Sequence, residues 1–189
     1  PFFGRALKKY PRNSFYLATK LPVWLVNSVE DAERLFKEQL SRLQTKYIDY
    51  YLLHALDAGR WEKLVKEGII QWAEEKKASG QIRHLGFSFH DTYPVFRKIL
   101  TYRQWDFCQI QYNYIDTQIQ AGDKGYEFAA KMGVPMVIME PVKGGRLADL
   151  PEEVEEVLKE ADPDRSVASY ALRWVGSHEN VKVILSGMS

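Results

Sequence analysis

The chain has 189 residues, 46% of them hydrophobic and 27% charged, with a formal net charge of +1, a balance that suits one soluble globular domain with a sizeable core over residues 1–189. So small a net charge supplies no global field for nucleic acid or an anionic membrane surface. No apolar run approaches the ~20 residues a membrane span needs, and Pro1–Gly4 runs into Arg5, Lys8 and Lys9 rather than into a secretory signal.

Short apolar runs rich in β-branched and aromatic residues alternate with longer segments of helical period, the pattern of buried parallel strands and crossover helices. The first strand is predicted at Phe15–Thr19. Ser28, with Asp31 three residues on, approximates a capping box and opens a helix whose Ala32, Leu35, Phe36, Leu40 and Leu43 share one face. Strand Ile48–Leu53 follows, then an aromatic loop around Trp61 that reads as a substrate lid. A helix over Ile69 to Lys77 stops at Gly80, and its Lys76 and Lys77 read as a solvated face. Strands His84–Phe89 and Phe107–Tyr112 come next. The single cysteine, Cys108, lies in the second of these; it reads as a small buried residue, makes no internal disulfide, and fits a reducing, cytoplasmic home. Gly133 ends a helix through Phe128, Ala129 and Met132, and strand Pro135–Met139 follows it. Asp162-Pro163 opens a last helix through Val167, Ala171, Leu172 and Val175, ending near Gly176, and Val181–Leu185 is the sixth strand.

Strands alternating with crossover helices pair in parallel through right-handed connections. Six units in 189 residues take roughly 31 residues each, whereas a closed barrel of eight takes about 250. The expected fold is therefore α/β, a (β/α)8 TIM barrel of which this chain carries about six units, without the first two strands and the final helices. An open doubly wound sheet is the competing arrangement, and the lack of a glycine-rich phosphate turn after the first strand counts against it.

In such barrels the chemistry gathers where strands end. The polar residues that fall there are Lys20, His54, Ser88 and His90, then Gln109, Gln111 and Asn113, then Glu140, and finally Ser186–Ser189. Taken singly, Lys20 reads as a solvated loop residue, His54 as a hydrogen-bonded structural histidine, and Gln109 and Asn113 as partners for backbone groups. Glu140 interrupts an apolar strand end and calls for a partner such as Lys20, Lys143 or Arg146. Lys20 and His54 together suit a carbonyl substrate: the cation lowers the pKa of a neighbouring acid, and the imidazole donates a hydrogen bond to the carbonyl oxygen. The run Pro141-Val142-Lys143-Gly144-Gly145-Arg146 joins two glycines that admit a close ligand to two cations that suit a diphosphate. The four histidines, His54, His84, His90 and His178, lack the spacing of a helical zinc motif, which counts against a metal-dependent hydrolase.

The stretches Phe15–Lys20 and Tyr47–His54 resemble the lysine and histidine strands of the aldo/keto reductases, and Leu85–Ser88, Gln109–Asn113 and Val183–Ser189 continue the match in family order. The resemblance implies a (β/α)8 barrel that transfers a hydride from NADPH to a small aldehyde or ketone. It implies that Lys20 and His54 belong to an Asp-Tyr-Lys-His catalytic group. Ser88 and Gln109 would hold the nicotinamide carboxamide, while Glu140, Pro141, Lys143, Gly144, Gly145, Arg146, Gly187 and Ser189 would lie along the cofactor. The family's aspartate and tyrosine stand further upstream than the nineteen residues that precede Lys20, so this chain by itself is expected to be weakly active or inactive. Phe89 replaces the family's asparagine beside the carboxamide serine, and Met139 or Glu140 stands where a tyrosine usually stacks on the nicotinamide. The phrase Met139–Gly145 resembles a bacterial branch with a C-terminal iron–sulfur extension, which would begin beyond Ser189. The alternative within the same superfamily is a non-catalytic, NADPH-binding regulatory subunit. No metal, nucleic acid or membrane partner is implied; the expected partner is the carbonyl substrate, and oligomeric state is not legible.

Overall fold

The structure, a computed structural model, describes residues 2–185. The chain forms two compact units, Pro1–Phe89 with Arg103–Phe107, and His90–Tyr102 with Cys108–Ser189.

The first unit runs α1 (Phe2–Leu7), β1 (Ala18–Leu21), α2 (Val29–Leu43), β2 (Ile48–Leu56), α3 (Ala58–Lys66), α4 (Ile69–Ala78) and β3 (Ile82–Phe89). Strands β1, β2 and β3 pair in parallel, with Lys20 opposite Leu52 and Leu52 opposite Gly86. The cap of α2 forms as expected, with the Asp31 amide donating to Ser28 Oγ at 3.4 Å. Asp31 does not close the box on Ser28, because its carboxylate takes the Asn27 amide instead, at 3.1 Å. The buried face of α2 carries Ala32 and Phe36, and the Phe36 ring packs edge-on against Tyr51 and Trp72.

Two carboxylates fix the start of the strands. Asp49, 1% exposed, accepts from the Leu17 amide at 2.9 Å and pairs with Arg12 and Arg83. Asp106 accepts from the Leu85 amide at 2.8 Å and from Lys77 Nζ at 2.6 Å. The Asp49 contact explains why β1 starts later than expected. With the Leu17 amide already bonded to a carboxylate, the ladder opens at Ala18 opposite Tyr50, and Lys20 lies inside the strand. Tyr16 falls outside it and is 79% exposed.

The segment around Trp61 is helix rather than lid. Asp57 caps α3 by accepting the Arg60 amide at 2.8 Å, and Trp61 is 2% exposed, facing Trp105 at 6.3 Å between ring centroids. Nor are Lys76 and Lys77 a solvated face: Lys76 pairs with Glu33 at 2.7 Å, and Lys77 with Asp106. Helical period fixes which side of α4 these lysines share, but their carboxylates come from α2 and from the chain beyond β3.

The second unit holds α5 (Tyr93–Tyr102), most of β4 (Phe107–Gln111), α6 (Gly122–Lys131), β5 (Met136–Met139), α7 (Glu152–Ala161), α8 (Val167–Gly176) and β6 (Val181–Ile184). β4 pairs with β5 and β5 with β6, again in parallel. Cys108 is fully buried in β4, and burial pushes its thiol up. Gly133, at φ 69°, follows α6 in the left-handed backbone that glycine accepts without strain. The last helix starts four residues later than Pro163 suggests. Asp162, before the proline, is extended at φ −162° and ψ 99°, as sterics dictate, and pairs with Arg165; the helix then begins at Val167. Every strand thus pairs in parallel within its unit, and one or two of helices α2 to α8 lie between each strand and the next, as in a (β/α)8 barrel. Among the described residues no helix is long and apolar enough to cross a membrane.

Candidate active site

Lys20, His54 and Ser88 share one face of the first unit's sheet. Lys20 stands opposite Leu52, two residues before His54, and Leu52 stands opposite Gly86, two residues before Ser88; side chains two apart along a strand point the same way. Gln39 on α2 fixes β1 at this point, donating from Nε2 to the Lys20 carbonyl at 2.8 Å while its Oε1 accepts from Tyr51 at 2.9 Å. The Lys20 side chain is half-buried, and burial alone lowers its pKa below the ordinary lysine value. Among the described residues no carboxylate pairs with it.

His54 lies against the half-exposed ring of Trp24, at 5.0 Å between centroids and 53° between planes. The chain then departs from regular strand. Leu53 is opposite Phe87 and Leu56 opposite Phe89, so His54 and Ala55 together face Ser88 alone, a β-bulge. Ala55 has φ 55°, a left-handed conformation that strains a residue with a Cβ by about 1–2 kcal/mol. Its amide donates to Ser88 Oγ at 2.8 Å, and its carbonyl accepts from Arg60 Nη1 at 2.6 Å. Ser88 is 1% exposed and accepts in that bond, which leaves its own O–H as a donor.

In the second unit Gln109, 3% exposed on β4, rests its amide nitrogen on the Met139 thioether at 3.0 Å. A thioether is a weak acceptor, so that amide keeps hydrogen-bonding capacity. Beyond β4 a polar hub forms around Asp116, 3% exposed. It accepts from Gln111 Nε2 at 2.8 Å and Asn113 Nδ2 at 3.0 Å, and pairs with Lys143. Burial pushes the Asp116 carboxyl up, but the hydrogen bonds from Lys143, Asn113 and Gln111 outweigh it and hold its pKa below the ordinary value.

The stretch 140–146 is therefore anchored rather than loose. Asn113 Nδ2 donates to the Glu140 carbonyl at 3.1 Å, Pro141 is buried, and Glu140, Lys143, Gly144 and Gly145 all have positive φ. The partner proposed for Glu140 among the nearby cations is not Lys143, whose ammonium goes to Asp116; the Glu140 side chain is exposed. Arg146 is exposed and makes no ion pair among the described residues. Gly187 and Ser189 lie outside the described residues. No group of three or more His, Cys, Asp or Glu gathers as a metal site among the described residues.

Trp24, Ala55, Arg60 and Asp116 escaped the sequence reading. Asp116 did carry a signal: Asn113 Oδ1 accepts from the Ile115 and Asp116 amides at 3.1 and 3.0 Å, an asparagine turn of the kind an Asn-x-x-Asp sequence favours after a strand. For Trp24, Ala55 and Arg60 no local pattern pointed to the site.

Strand–helix alternation with polar side chains on the strand ends defines the class, that of the (β/α)8-barrel enzymes. The chain belongs to the aldo/keto reductase family, a family of oxidoreductases whose model matches residues 1–189. Among solved structures it is similar to the holo form of an aldo-keto reductase from Bacillus halodurans, with 30% identity and a TM-score of 0.81, covering 100% of this chain and 66% of that one. Two further structures share the fold. A glycerol dehydrogenase from Gluconobacter oxydans is 20% identical with a TM-score of 0.74, covering 98% of this chain and 66% of its own. An aldo/keto reductase from Klebsiella pneumoniae in complex with NADP and acetate is 23% identical with a TM-score of 0.72, covering 98% and 64%. The chain thus spans slightly less than two thirds of the length of these structures. No curated protein sequence matches it.

Proposed function

We propose that the protein reduces small aldehydes or ketones with NADPH. The observation that carries this reading is the pairing, on one sheet face, of a half-buried lysine of lowered pKa with a histidine set in a bulge beside an exposed aromatic ring. His54 donates its ring N–H to the carbonyl oxygen. Lys20 stabilises the deprotonated state of a neighbouring acid, which lowers that acid's pKa and lets it protonate the developing alkoxide. Trp24 walls the substrate. NADPH, when bound, supplies the hydride that adds to the carbonyl carbon. The residues present fit such a cofactor within each unit: in the first, Ser88 keeps an O–H suited to a carboxamide, and in the second, Gln109 keeps an under-used amide of the same use. Gly144 and Gly145, at φ 62° and 92°, turn the backbone beside the exposed Arg146 for a diphosphate. We assign the diphosphate's cation to Arg146 rather than Lys143, which is committed to Asp116.

The test is a nicotinamide-fluorescence titration with NADPH, with NADH as competitor, followed by turnover of reactive aldehydes by the whole protein. Saturable binding is expected for the wild type and for the Lys20→Met and His54→Gln variants, with aldehyde turnover lost in both. Lys20→Met should also melt higher, because it removes a half-buried charge whose penalty is present at neutral pH and relieved only as pH rises past its lowered pKa. Absence of binding by the folded chain overturns the cofactor assignment. Tight binding with no turnover by the whole protein favours the regulatory-subunit alternative.

A further inference from the structure

A histidine that must aim a hydrogen bond at a reacting oxygen needs its backbone fixed on both sides. On one side Leu53 is held in the ladder opposite Phe87. On the other the ladder fails, because His54 and Ala55 together face only Ser88 before pairing resumes at Leu56 and Phe89. The extra residue of a bulge loses its ladder partners, and a buried orphaned amide or carbonyl is unfavourable. Here neither group of Ala55 is orphaned: the amide donates to Ser88 Oγ at 2.8 Å and the carbonyl accepts from Arg60 Nη1 at 2.6 Å. Ala55 also carries a Cβ in a left-handed conformation, φ 55°, that glycine adopts freely and alanine resists. Left to itself this residue would relax out of the bulge and swing His54 with it.

Arg60 stands on a firm base from which to prevent that. Its own amide donates to Asp57 Oδ1 at 2.8 Å, and its guanidinium lies 3.4 Å from Asp57 Oδ2, in the first turn of α3. Two side chains from two different elements thus converge on one strained residue immediately after the candidate catalytic histidine. We infer that Arg60 is a positioning residue: with the Ser88 hydroxyl it clamps the bulged backbone at Ala55 and thereby sets the direction of the His54 imidazole. This rests on the carbonyl-reduction reading only for its consequence in turnover; the clamp itself is a statement about the His54 ring.

The experiment follows both. His54 ring signals are read by long-range nitrogen–proton NMR on the labelled protein, assigned with His54→Gln, alongside NADPH titration and aldehyde turnover by the whole protein. The Arg60 side chain is 40% exposed, so Arg60→Met leaves the core intact, and Arg60→Lys serves as the milder variant. Arg60→Met should shift and broaden the His54 signals and lower turnover about tenfold, with NADPH affinity kept within about twofold. Arg60→Lys, which retains a donor but not its fork, should fall between. The decisive arm is the double variant Ala55→Gly/Arg60→Met: glycine holds the left-handed bulge without strain, so the His54 signals should return and most of the turnover with them. A purely structural Arg60 would lower the melting temperature, leave the His54 signals in place and show no rescue by glycine, and that result overturns the proposal. So does a fall in turnover with unmoved His54 signals. Signals that move and are rescued, in a whole protein that never turns over an aldehyde, keep the clamp and overturn the reductase reading.

Discussion

Glu33 on α2 receives hydrogen bonds from Trp72 Nε1 at 2.9 Å and pairs with Lys76 at 2.7 Å and Lys37 at 3.1 Å. Burial pushes its carboxyl up, yet these three donors outweigh that and bring it from 4.5 down to about 2. A carboxylate depressed in this way stabilises the fold fully above its unfolded value of 4.5, and the contribution is lost as pH falls through about 2. Glu33→Gln should therefore weaken the protein by about 1 kcal/mol at neutral pH, allowing for solvent screening, with the gap closing toward pH 2. Urea unfolding at pH 7 and pH 3 checks this, and an equal gap at both would contradict it. The same residues show the reach of sequence at this scale. Lys20 and His54 were legible because each follows an apolar run that names its strand. The partners of Lys76 and Lys77 were not, because helical spacing says which side a charge occupies and nothing of what another element brings to it.

Among the elements, β3 packs closely at Gly86. A Cβ there would lie 2.7 Å from both Phe107 ring atoms and the Phe107 carbonyl oxygen, and the backbone atom cannot step aside as a side chain can. Gly86→Ala should destabilise by about 1–3 kcal/mol, read as a lower denaturant midpoint with an unchanged slope. A neutral effect would mean that β3 shifts more readily than its pairing with β2 suggests. All six strands and the helices α2, α4, α6 and α8 were foreshadowed by period and punctuation, whereas α1, α3, α5 and α7 were not. The case of α3 is instructive: its aromatic Trp61 read as an exposed lid because only packing against Trp105 reveals that it is covered. The β2 bulge was equally invisible, since an extra residue in a ladder is defined by its partner strand and leaves no periodicity of its own.

For the molecule as a whole, a net charge of +1 leaves little long-range field to recruit an anionic cofactor. On the proposed function, affinity for NADPH would then come from a few local cations, of which Arg146 is an exposed candidate and Lys143 is tied to Asp116. Raising salt from about 50 to 500 mM should weaken NADPH binding by no more than about tenfold. Arg146→Gln should weaken binding several-fold and flatten that salt dependence; an unchanged salt response would remove Arg146 from the diphosphate.

Length, alternation of apolar runs with helical segments, and the lysine and histidine that end neighbouring runs were determined by the sequence alone, because strand and helix periods and strand-end positions are local properties of the chain. So was the family, whose motifs lie in order along it. The tertiary structure decided the rest: that Lys143 pairs with Asp116, that Asp49 delays the start of β1 and takes Lys20 into the strand, and that Ser88 and Arg60 close on Ala55. Each of these joins residues distant in sequence, or depends on a partner strand's register. A buried polar group is satisfied by whichever donor the fold delivers to it, and that choice is made only when the elements have packed.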